Sequence, residues 1–211
     1  MEDMSSKLVL VGGGGHCKSV LDTALRMACF KEIVITDYYN PEGSSLLGCK
    51  VVGTDEVLPD LYKNGYRSAF ITVGSIKSTD VRRNIFEKCK KIGFQSPNII
   101  DSSALISNSV DMGIGVFVGK NAILNADSII GNYAIINTAC IIEHECKIGD
   151  FSHIAVGATV CGGVEIDSNV FIGANSTIIQ GVKIGRNSVI GAGSIILTDV
   201  PENSTIVGAY R

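Results

Sequence analysis

A six-residue repeat fixes most of what this chain can become. Cut into sixes from Ile99, the sequence stays in register to Val200, giving 17 rows over 102 residues without an insertion. The second slot is apolar in every row: Ile in 13, otherwise Met112, Val118, Leu124 and Val160. The sixth slot is always Ala, Val, Ser or Cys. A period of six is not the 3.6 of an amphipathic helix, and β-branched residues in a fixed slot favour strand. Side chains alternate across a strand, so the second and sixth slots share one face and the odd slots point away. Each row therefore supplies one short strand and a corner. Three rows close a triangular coil of 18 residues, and stacked coils build a prism with an aliphatic column behind each side. Glycine recurs in the third slot (Gly113, Gly119, Gly131, Gly149, Gly173, Gly185, Gly191) with Asn nearby, which suggests corners at positive φ.

The rest of the chain, residues 1–98, reads as alternating strand and helix. The apolar run Lys7–Val11 ends in four glycines, Gly12 to Gly15, and His16; a helix follows from about Lys18 to Phe30. Further strands are expected at 33–37, ending on Asp37, and at 69–73, ending at Gly74, with a hairpin-like stretch at 48–53 and helices near 55–64 and 80–92. That order predicts a small parallel α/β sheet as a first domain (1–98), followed by the repeat domain (99–211). A glycine loop between strand and helix is where such folds hold phosphate. The dinucleotide fingerprint is only partial: Gly12 and Gly14 fit its first two positions, but Cys17 stands at the third.

Composition excludes several classes. With 18 basic and 21 acidic side chains in 211 residues, the chain lacks the basic surface of a sequence-independent nucleic-acid binder. No apolar run approaches a membrane span, and the polar Met1–Lys7 stretch does not read as a secretory signal. Seven cysteines without a CxxC pair suggest free thiols in a cytoplasmic protein and no structural zinc site. Cys140 and Cys146 fall in the sixth slot and read as core; Cys17, at a helix start, is either packing or a thiol of lowered pKa.

The repeat resembles the hexapeptide pattern of left-handed parallel β-helix acyltransferases, which are trimers binding acyl-CoA along the prism between subunits. The whole chain, a small Rossmann-like domain fused to such a β-helix, is similar to bacterial nucleotide-sugar acetyltransferases: the 4-amino-sugar N-acetyltransferases of the bacillosamine type and the sialic acid O-acetyltransferase group. The most specific segment is Ile142-Glu-His-Glu-Cys-Lys-Ile-Gly-Asp-Phe-Ser-His153. The resemblance implies acetyl-CoA as co-substrate, no metal, a nucleotide-linked amino sugar as acceptor and a homotrimer with active sites between subunits.

Acetyl transfer to an amine needs a base, and imidazole suits that task near neutral pH. Of the three histidines, the resemblance makes His144 the general base and Glu145 its orienting acid. Consecutive strand residues point oppositely, so Glu145 reaches His144 only if the corner bends the backbone. His153 lies half a coil further on and so projects to the opposite side of the prism; one site using both needs two protomers. The resemblance assigns His153, Ala174 and Ala192 to acetyl-CoA, and Gly14, Gly15, His16, Asp37, Tyr38 and Gly74 to the nucleotide sugar. Tyr38 replaces a second Asp of the bacillosamine type, which leaves the nucleotide open, and the tail after Ile206 lacks that family's proline. A sialic acid O-acetyltransferase and a non-catalytic nucleotide-sugar scaffold are the alternatives. A β-helix carbonic anhydrase would need three zinc histidines on the prism, where only His144 and His153 stand.

Overall fold

A computed structural model describes residues 7–75 and 78–211; the polar Met1–Ser6 stretch lies outside them. Two compact units divide the chain: Met1–Gly74 with Asp80–Ile99, and Ser75–Thr79 with Ile100–Arg211.

In the first unit, β1 (Lys7–Val11), β2 (Glu32–Thr36) and, later in the chain, Ser68–Ile71 form a parallel sheet with β1 in the middle. Leu8 to Val11 and Ile35 are fully buried, as expected of strands covered on both faces. Helix α1 (Gly15–Met27) turns Cys17, Val20, Leu21 and Ala24 inward. It begins earlier than the expected Lys18, because Gly15 and His16 already belong to its first turn. The hairpin is β3 (Ser45–Leu46) and β4 (Cys49–Lys50), turned through Leu47 and Gly48, both at positive φ (44° and 84°); such a two-residue reversal matches strand twist. The helix expected at 55–64 is split into a 3₁₀ turn at Asp55–Val57 and α2 (Leu58–Lys63), with Pro59 in the first turn, where its missing N–H costs nothing. The strand Ser68–Ile71 is β5, and α3 (Asp80–Ile92) buries Ile85 and Cys89.

In the second unit the hexads wind as the repeat dictates. Each two-residue strand pairs in parallel with its counterpart one coil along, as Ile123–Ile141–Thr159–Thr177–Ile195 in one column, Ile129–Lys147–Glu165–Lys183 in another and Ile135–His153–Phe171–Val189 in the third. From Val116 to Val200 every second-slot and sixth-slot residue is buried, including Cys140 and Cys146. Four of the sixth-slot serines spend their hydroxyls on corner carbonyls, for example Ser128 Oγ on Glu143 O at 2.8 Å. At the C-terminus the coils shorten. Val189 pairs with Thr205, where the regular register would set Val207 opposite it, and Ile195 pairs with Ala209, a tighter return still.

The corners correct one expectation. Positive φ falls in the fifth slot, at every sixth residue from Gly115 to Gly193, and Tyr133, Ala139, Glu145 and Phe151 adopt it as readily as Asn or Gly. The third-slot glycines are needed for space instead. A Cβ on Gly149 would lie 2.5 Å from the backbone of Asp167, and one on Gly173 2.4 Å from Ala192 N. Neighbouring coils approach so closely there that no side chain fits.

Candidate active site

His144 follows the strand Ile141–Ile142 and stands exposed in the fourth slot, at the start of a corner. Glu145 is the left-handed residue of that corner, with φ 59°. The bend brings its carboxylate back: His144 Nδ1 and Glu145 Oε2 are 3.1 Å apart. The stereochemical objection from simple strand alternation is thereby removed. Since a carboxylate can only accept, Nδ1 carries the proton and Nε2 of the neutral ring is left as a lone pair.

His153 lies in a different column and is buried. Its Nδ1 donates to Ser75 O at 2.9 Å, its Nε2 faces Asn137 Nδ2 at 3.2 Å, and Phe171 packs edge-on at 5.2 Å between centroids. The chain itself thus engages both ring nitrogens. Ala174 and Ala192 stand one above the other at the corner that follows this column, half-buried and exposed respectively. Within one chain, then, His144 with Glu145 occupies one edge of the prism, and His153, Ala174 and Ala192 gather beside another.

In the first unit a cavity of about 510 Å³ opens beyond the carboxyl ends of the parallel strands, the usual ligand position of open α/β sheets. Asp37 and Tyr38 line it, together with Gly12, Val73, Asp55, Asn84 and Lys88. Gly14 and Gly15 are exposed, with open space where a Cβ would be. They form the start of α1, which has no acidic residue in its first turn; that end suits an anion. His16 is one residue further into the helix, and a Cβ on Gly74 would lie 3.7 Å from its own Cβ. Gly12 and Gly13 do other work: Gly12 has φ +110° with Val73 2.6 Å from a would-be Cβ, and Gly13 is hemmed in by Asn40 and Asp37.

Asp37 proves to be a clasp. Its Oδ2 accepts from Gly13 N at 2.6 Å, and its Oδ1 from the amides of Tyr39 and Asn40 and from Asn40 Nδ2 at 2.7–2.9 Å. Burial pushes its pKa up, but the donors from Asn40, Gly13 and Tyr39 outweigh burial and hold it below the ordinary carboxylate value. A depressed folded-state pKa gives stability that is present above the unfolded value and lost as pH falls through the folded one. Thermal unfolding of the first unit is therefore expected to lose stability as pH drops below about 4, and Asp37→Asn is expected to flatten that acid limb.

Cys17 is fully buried, and burial pushes its thiol up to about 11, which removes the reading of a lowered pKa at the helix start. Cys140 is likewise pushed up to about 12 in the prism core. Among the described residues no group of three or more His, Cys, Asp or Glu could hold a metal ion, and no helix is long and apolar enough to cross a membrane. The sequence reading missed Asp55, Asn84 and Lys88 in the cavity. Asp55 is distant in the chain from Asn84 and Lys88, which share α3, and none of the three carries a local motif.

Comparison with known proteins matches the PglD N-terminal domain family over residues 7–89, the bacterial transferase hexapeptide family over 145–180 and the hexapeptide repeat of succinyl-transferase over 163–198. A crystal structure of a histidine-to-alanine variant of GDP-perosamine N-acetyl transferase from Caulobacter crescentus, in complex with CoA and GDP-perosamine, superposes with a TM-score of 0.90 at 32% identity, covering 96% of this chain and 93% of that one. The chain belongs to the bacterial hexapeptide-repeat acetyltransferases. The acetyltransferase domain of PglB from Neisseria gonorrhoeae, in complex with acetyl coenzyme A, is 31% identical with a TM-score of 0.90, covering 97% of both chains. GDP-perosamine N-acetyltransferase of Escherichia coli O157:H7 is 27% identical over 130 residues, a match that spans 61% of this chain and 58% of that protein. The family relationship supports the left-handed winding of the prism, an exception to the usual right-handed crossover.

Proposed function

We propose that the protein transfers acetyl from acetyl-CoA to the amino group of a nucleotide-linked 4-amino-4,6-dideoxy sugar, with His144 as general base and Glu145 as its orienting partner. The observation that carries this reading is the His144–Glu145 contact at an exposed corner, in a chain alike over nearly its whole length to an enzyme named for acetylating an amino sugar. The sugar amine attacks the thioester carbonyl carbon. His144 Nε2 takes the proton that the nitrogen sheds; the carbon–sulfur bond then breaks, and the departing thiolate receives that proton and leaves as CoA thiol. Corner N–H groups near the carbonyl would stabilise the tetrahedral oxyanion. The cavity at the sheet end takes the nucleotide, with phosphates toward Gly14, Gly15 and His16. Asp37 shapes this loop, Tyr38 borders the cavity, and Gly74 lets the ligand approach the backbone. Acetyl-CoA runs beside Ala174 and Ala192, with His153 bracing that edge.

Because His144 and the coenzyme edge are separated within one protomer, the reading requires an oligomer with each site between two subunits, and the family resemblance makes that oligomer a homotrimer. The outward slots of the His144 column support such packing: Leu105 and Ile195 are exposed and Ile123 and Ile141 half-buried, whereas the next column carries the ladder Lys147–Glu165–Lys183 with contacts of 3.1 and 3.3 Å. Light scattering is expected to give a trimer at micromolar concentration; a monomer there would leave no complete site. The activity is tested by offering acetyl-CoA with a panel of nucleotide-linked 4-amino sugars, sialic acids and their nucleotide conjugates, reading thiol release and product mass. N-acetylated sugar nucleotide is the expected product. O-acetylated sialic acid, or tight sugar-nucleotide binding without CoA release, would overturn the reading.

A further inference from the structure

We infer that Gly162 is a positioning residue for His144, leaving empty the volume in which the imidazole rests. The inference builds on the reading of His144 as the base. Both residues occupy the fourth slot, one full coil apart, so they stack on successive coils at one corner. The Gly163 N–H donates to His144 O at 2.9 Å and ties the two coils together at that point. A Cβ on Gly162 would lie 2.6 Å from His144 Cε1, 2.6 Å from Nε2 and 3.2 Å from Cδ2. Carbon atoms in contact settle at about 3.5–4.0 Å, so the ring and a methyl group cannot share the space. All three of the nearest heavy atoms belong to the imidazole. Room for that ring is therefore what the missing side chain provides.

Backbone conformation does not ask for glycine here. The left-handed residue of this corner is Gly163, with φ +68°, and Gly162 is absent from the positive-φ set. The sequence points the same way. Of the 17 fourth-slot residues from Ser102 to Thr198, Gly162 alone is glycine, and it lies one coil beyond the histidine. Glu145 holds the ring by Nδ1, and the bare Cα of Gly162 lets the opposite edge, with Nε2, settle against the next coil. Together they fix the direction in which the basic nitrogen faces. Gly162→Ala is expected to drive the ring off and pull Nδ1 away from Glu145.

The test is a double-mutant cycle combined with nuclear magnetic resonance of ¹⁵N-histidine-labelled protein. The chain has three histidines, so the His144→Ala spectrum identifies the His144 signals by subtraction. In spectra of the neutral imidazole, wild-type His144 is expected to carry its proton on Nδ1, and Gly162→Ala to shift it toward the Nε2-protonated form while His16 and His153 keep their signals. Gly162→Ala is expected to lower kcat by about 10- to 100-fold, as for a catalytic group displaced by about an ångström, with KM for both substrates within about twofold. In the His144→Ala background it should cost nothing further in rate or in thermal midpoint. A variant that fails to fold alone but folds with His144→Ala also supports the assignment. Unchanged His144 signals, or an equal loss in both backgrounds, would overturn it, the second result meaning that the methyl obstructs a substrate. Full turnover by His144→Ala alone would instead sink the general-base reading, with the spectra still deciding whether Gly162 positions the ring.

Discussion

Replacing His144 with alanine is expected to lower turnover by about 10²–10⁴-fold, the range for loss of a positioned base, while the dissociation constant for CoA stays within a few-fold. The asymmetry follows from the layout. The imidazole stands at one prism edge, held by Glu145 at 3.1 Å, whereas the surface beside Ala174 and Ala192 lies at another corner. Thiol release under saturating substrates measures the first quantity, and calorimetric titration with CoA the second. Wild-type turnover in the variant removes His144 from the chemistry. A parallel collapse of CoA affinity would mean that the histidine binds rather than catalyses.

The second large effect concerns the prism. Gly173→Ala is expected to destabilise by about 3 kcal/mol or more, the upper range for overpacking, because the added methyl meets the main chain of the next coil at 2.4 Å. Backbone locked into a ladder cannot step aside as a side-chain terminus can. Gly181→Ala makes the opposite kind of demand, since Gly181 has φ +72° but open space around it. Its expected cost is about 1–2 kcal/mol, the penalty of a left-handed conformation for an L-residue. Denaturant midpoints of the two variants, measured side by side, decide the order. If the fifth-slot variant proved the more damaging, conformational strain rather than coil contact would limit the stack.

These two glycines also show what a sequence reveals of such a fold. The inward slots are legible because a buried column tolerates few residue types, and the column repeats every coil. The turn slot is not, because the corner imposes its left-handed residue by position: Tyr133, Ala139 and Phe151 sit there, residues that no turn propensity would select. His144 and Glu145 can be named from their motif, but their contact cannot, since it depends on Glu145 being that left-handed residue. Asp37 is legible as an acid at a strand end. Only the folded chain shows its oxygens committed to Gly13, Tyr39 and Asn40. Gly162 is one glycine among 24 along the chain, and stands out only in the fourth slot taken down the coils.

The shortened coils at the C-terminus show which part of a coil can be spared. Val189 on Thr205 and Ile195 on Ala209 keep the parallel two-residue pairing of the interior while closing the circuit in 16 and 14 residues, where Thr177 to Ile195 takes 18. The strands stay stacked on the columns below them, and the saving falls on the corners. A coil of this prism can therefore lose residues between its strands without losing its ladder.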